Sequence, residues 1–131
     1  MKKLIFAFFA LLALVSCSRG EDETDNISFV GKWNWVSTSG GIGGTTSTPS
    51  STGKTVVLNL NEDNTYSITT NNVVTNSGTY TLYKDVSNLT HYEATFIQFS
   101  GVSAKSTIVI VNEQLILNDD VNDGYLSIYQ K

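Results

Sequence analysis

From Phe29 to the last residue, short apolar-rich runs alternate with clusters of Asn, Asp, Ser and Gly. No long stretch repeats its apolar positions at helical spacing. The runs are dominated by Thr, Val, Ile, Tyr and Phe, side chains that suit a pleated, half-buried surface. Eight strands are expected. They are Val30–Ser37, Lys54–Leu60, Thr65–Thr70, Val73–Tyr83, Tyr92–Phe99, Lys105–Val111, Gln114–Leu117 and Tyr125–Gln130. Alternation predicts their faces. Tyr66 and Ile68 share one face against Ser67 and Thr69. Leu126 and Ile128 oppose Tyr125, Ser127 and Tyr129. Thr107–Val111 is apolar on both faces, which suits a strand under a loop or at a contact surface.

The connections decide how the strands pair. Glu62-Asp63-Asn64, Asn71-Asn72 and Asn112-Glu113 are of hairpin length, and Asn tolerates the positive φ such turns require. Parallel crossovers need a dozen or more residues each, and a single link reaches that length. The fold class is therefore all-β: an antiparallel up-and-down barrel of about eight strands, closed to hide its edges. Gly78, inside the fourth run, marks a bulge or bend. The long link, Thr38–Gly53, holds five glycines, the only proline and many hydroxyls. It reads either as a floppy insertion or as a lid over the barrel mouth.

The first residues change the picture from fold to address. Met1-Lys2-Lys3 precedes an uncharged run from Leu4 to Val15. A membrane span needs about 20 apolar residues, so this shorter run suits a secretory signal peptide. It ends in Leu14-Val15-Ser16-Cys17, which resembles the bacterial lipobox. That resemblance implies cleavage before Cys17 and lipid on its thiol and new amino group. The expected organisation is a signal peptide over 1–16, a lipidated tether over 17–28 and a barrel domain over 29–131. Cys17 is the only cysteine, so the domain has no internal disulfide to draw on. Ser18–Asn26, SRGEDETDN, is polar and acidic and reads as a disordered tether. It also looks like the surface-export signal of Bacteroidetes lipoproteins. The expected location is the outer membrane, facing either the periplasm or the outside.

Removing 1–16 takes away Lys2 and Lys3, so six basic side chains face twelve acidic ones and the net charge is near −6. Such a surface repels nucleic acid and anionic headgroups. Membrane contact is therefore expected through the lipid on Cys17.

Gly31-Lys32-Trp33 opens the first strand, followed by Trp35, the Ser/Gly/Thr-rich link, the hairpin Leu58–Tyr66 and Ser77-Gly78-Thr79-Tyr80. A glycine-x-tryptophan at that place is similar to the lipocalin signature. The whole of 29–131 looks like the lipocalin-like domains of Bacteroidetes lipoproteins. The resemblance implies that Gly31 and Trp33 are structural residues of the closed barrel base. It also implies a basic cap on Trp33, for which Lys131 is the candidate. The first strand then runs from the closed end to the open end. The 38–53 link, the Asn71-Asn72 turn, the 100–104 loop and the 118–124 loop surround the mouth, and the 84–91 loop lies at the closed end.

Catalytic and metal chemistry find little support. The only histidine, His91, stands at the head of the fifth strand without a nucleophile beside it. No metalloprotease, nucleophile-elbow or phosphate-loop motif occurs. Asn118–Gly124 (NDDVNDG) is acidic enough for calcium but lacks the EF-hand spacing, and reads as an acidic turn. The expectation is a non-enzymatic module with no cofactor and no metal site. Its leading function is to hold a small apolar or amphipathic ligand, with Trp35, Tyr66 and Ile68 facing it. The alternative is a filled barrel that acts as an interaction or inhibitor module toward an envelope or host protein.

Overall fold

The computed structural model describes residues 28–131. The signal peptide, Cys17 and the tether as far as Ile27 lie outside the described residues. The elements are β1 (Gly31–Gly40), β2 (Thr45–Ser47), α1 (Pro49–Thr52), β3 (Val56–Leu60), β4 (Thr65–Thr70), β5 (Val73–Val86), β6 (Glu93–Phe99), β7 (Ser106–Val111), β8 (Gln114–Asp119) and β9 (Tyr125–Gln130). All neighbouring strands are antiparallel. The sheet order is β2-β1-β3-β4-β5-β6-β7-β8-β9, and β1 also pairs with β9, which closes an eight-stranded barrel with β2 appended. The turns use the expected chemistry: Asn64, Asn71, Asn72, Asn112 and Glu113 all have positive φ.

The 38–53 link carries regular structure of its own. β1 runs on to Gly40, and β2 folds back along it, pairing Thr38 with Ser47 and Gly40 with Thr45. Thr48 then caps the single helical turn of α1, which stops at Gly53 in the left-handed conformation. β3 accompanies only the lower half of β1, from Gly31 to Asn34, so β2 supplies wall beside its upper half. Gly40 is required there, because a Cβ on it would collide with the Gly124 carbonyl.

Gly78 is not the bulge. The register shift between β4 and β5 falls at Thr75, whose hydroxyl donates to the Ile68 carbonyl. Gly78 instead lies opposite Tyr66, where a Cβ would press on the Tyr66 ring and the Ser100 hydroxyl. A second shift, at Val36, lets Trp33, Trp35 and Thr38 all point inward.

The lumen is packed. Trp33, Leu58, Leu60, Tyr66, Tyr80, Ile97, Ile108, Leu115 and Leu117 form one buried cluster, with Phe29, Ile68, Phe99, Ile110 and Tyr129 against it. Tyr66 meets Phe99 edge-on, ring centroids 4.6 Å apart.

Candidate functional site

At the base, Trp33 is 1% exposed, and its indole N–H donates to the Phe29 carbonyl at 2.8 Å. The Lys131 ammonium stands 5.0 Å from the centre of the Trp33 ring. Gly31 has φ +143°, a conformation L side chains rarely adopt, and it lies beside the end of the Lys131 side chain. A groove of about 550 Å³ adjoins this base, between Trp33, Ile110, Glu113 and Lys131.

At the open end, the Trp35 indole donates to the Thr38 hydroxyl at 2.8 Å, and Thr38 is 2.8 Å from the Ser127 hydroxyl. Burial pushes the neighbouring Tyr129 phenol above its ordinary value, against the pull of Ser127. Trp35 and Ile68 are half-buried here, whereas Tyr66 is buried deeper in the cluster. Tyr66 belongs to the buried cluster and Ile68 packs against it, while Trp35 is tied to Thr38. The loops that rim the open end carry exposed aliphatic tips: Ile42, Val73, Val74, Val102 and Val121.

The outer face holds an arrangement the sequence did not reveal. Strand alternation places Tyr83, Asp85 and Ser87, with Phe96, Lys105 and Asp120, on the face opposite Ile97 and Ile108. Phe96 is fully buried there, stacked on Tyr83 at 5.6 Å, with the Lys105 ammonium 4.6 Å above its ring. Asp120 is 2% exposed and accepts from the Ser87 hydroxyl at 2.6 Å, the Asn88 N–H at 2.9 Å and the Leu89 N–H at 3.3 Å. Lys105 lies 3.1 Å from Asp85 and 3.9 Å from Asp120. Burial raises the Asp120 carboxyl, but the Asn88 N–H, Ser87, Leu89 and Lys105 outweigh it and hold the group below the usual carboxylate range.

This clasp corrects the expected placement of the loops. The 84–91 segment is not parked at the closed end away from the 118–124 loop. The β5–β6 hairpin instead curls back, and its tip is tied to Asp120 in that loop. The acidic turn is thus a clamp. Asp119 serves it as well, accepting from Ser106 at 2.8 Å and from the Tyr125 N–H at 3.2 Å. Its carboxylates point to different partners, and among the described residues no group of three or more His, Cys, Asp or Glu side chains converges as a metal site. His91 is exposed in the hairpin tip with φ +62°.

Between β6 and β7 the wall is incomplete. Only Phe96 with Thr107 and Ile97 with Ser106 pair. Below them the strands part around a cleft of about 340 Å³ that reaches Ala94, Thr95, Ile108 and Val109.

In comparison with known proteins, the chain matches no protein-family model, no curated protein and no solved structure.

Proposed function

We propose that the chain is a lipoprotein, anchored in a bacterial outer membrane by acylated Cys17, whose barrel is a non-enzymatic interaction module. The observation that carries this reading is the filled lumen. Side chains from all around the barrel pack into one buried cluster that spans it from Trp33 to Leu117. Large apolar side chains are instead exposed on the rim, on the β5–β6 hairpin and on β7. An eight-stranded barrel has just enough interior for packed side chains or one small ligand, and here the side chains take the space. Recognition then falls to the outer surface and the loops, toward an envelope or host protein.

A second reading keeps the small apolar or amphipathic ligand, held at the open end beside Trp35. Half-burial of that indole, with its N–H already satisfied by Thr38, favours it. Titrating a fluorescent fatty acid into the mature protein separates the two. The interaction reading expects no saturable one-to-one quenching of tryptophan emission. Saturable binding that is abolished by Trp35→Ala while the fold is kept would transfer the function to the ligand reading.

A further inference from the structure

We infer that the parted β6 and β7 edges form a strand-accepting groove, which takes an extended, neutral or basic peptide segment of a partner protein. The inference rests on the interaction reading and names the form of its partner.

Continuing the β6–β7 register would pair Thr95 with Ile108 and Ala94 with Val109, yet the ladder stops after two pairs. β6 remains hydrogen-bonded to β5 along its whole length, and β7 to β8. Successive residues of a strand aim their N–H and C=O groups at alternate sides. Every second residue of Glu93–Thr95 and of Ile108–Val111 therefore offers a donor and an acceptor to the cleft with no strand opposite. Another extended backbone is the chemical species that satisfies two such facing edges together.

The surroundings fit that occupant. Ala94, Thr95 and Thr107 are small, so a backbone can approach closely. Exposed Val109 and the methyl-bearing Ala94 and Thr95 line the cleft with apolar surface for alternate peptide side chains. Glu93 is the one charged side chain lining it, in a domain of net negative charge, so an acidic peptide is disfavoured. The far wall, Ser87 and Thr90, is held in place by the Asp120 clasp through Ser87. The groove is thus preformed, which lowers the ordering cost of binding.

The test uses the mature chain carrying Cys17→Ser, which leaves every described residue unchanged. The probe is a capped heptapeptide copying Lys105–Val111, compared with a twin N-methylated at alternate residues. Saturable binding is expected, with the amide NMR signals of Ala94, Thr95, Ile108 and Val109 shifting. The N-methylated twin should bind at least tenfold more weakly. Val109→Glu, at an exposed position, should weaken binding at least tenfold, and Val73→Glu on the rim should leave it unchanged. Equal binding of the twin, or unshifted amides at the cleft, overturns the groove. So does finding the cleft-facing amides among Ala94, Thr95, Ile108 and Val109, those not bonded to β5 or β8, as protected from exchange in the free protein as Ile97 and Leu117. Peptide binding mapped to the rim would overturn the groove and leave the interaction reading standing. Fatty-acid capture at Trp35 would remove that reading itself.

Discussion

Trp33 and Asp120 are both almost fully buried, and they differ in how visible their roles are from the chain. Trp33 fills the base, gives its one donor to Phe29 and lies under Lys131. Trp33→Ala should cost about 3–5 kcal/mol, the range for deleting a buried aromatic side chain, measured by urea denaturation. Its inward position was legible because Gly31-Lys32-Trp33 opens a strand of clear alternation. Asp120 was not legible. Nothing in the local pattern joins it to Ser87, which lies 33 residues away, and an acidic turn looks solvated until the hairpin that covers it is seen. Asp120→Ala should leave the Ser87 hydroxyl and the Asn88 N–H without their acceptor and cost about 1–3 kcal/mol. The pH dependence follows from the depressed carboxyl. Its contribution is fully present above the unfolded value of about 3.9 and is lost as pH falls through the lower folded value. A plot of stability against pH should therefore flatten at the acid end in Asp120→Asn relative to the parent. Parallel profiles in the two proteins would show that Asp120 does not hold the hairpin by its charge.

Strands and turns were readable because one face of each strand is buried and the period-2 pattern survives in the sequence. Every expected strand is present, with ends displaced by a few residues where pairing runs past the apolar run. β5 continues through Lys84 and Asp85, which do not favour a strand, to Val86 because β6 accompanies it to Glu93. The regular structure of segment 38–53 was missed for the complementary reason. Its Gly, Ser and Thr residues have weak preferences, and its order comes from pairing with the top of β1 and from the Thr48 cap. Gly40 is where that element is most sensitive. Gly40→Ala would drive a methyl into the Gly124 carbonyl at φ +127° and should cost at least about 1–3 kcal/mol, the range for a residue held in a sparsely populated conformation. Gly44→Ala, with open space around it, should cost less. Thermal melts of the two variants compare them directly.

For the whole molecule, the point at which the tether joins sets the geometry. Phe29 is held against Trp33 at the closed end, so a chain anchored at Cys17 reaches the barrel from its base. A span of nine residues, the length of Ser18–Asn26, can bridge at most about 30 Å at about 3.3 Å each. Under the proposed anchoring, the barrel would be leashed by its base, with the aliphatic rim and the β6–β7 cleft left free. Anchoring and folding should then be separable. Each acyl methylene buried in a bilayer contributes about 0.8 kcal/mol, so the two or three chains of the proposed anchor would hold the protein firmly while an acidic surface adds no attraction of its own. Cys17→Ser should move the protein from the membrane pellet to the soluble fraction after cell lysis. The same variant should melt within a degree or so of the lipidated protein in detergent, because the buried cluster is built from residues of the barrel itself. Retention of Cys17→Ser in the membrane fraction after a high-salt wash would mean that the barrel itself, through its rim, supplies the membrane affinity assigned to the lipid.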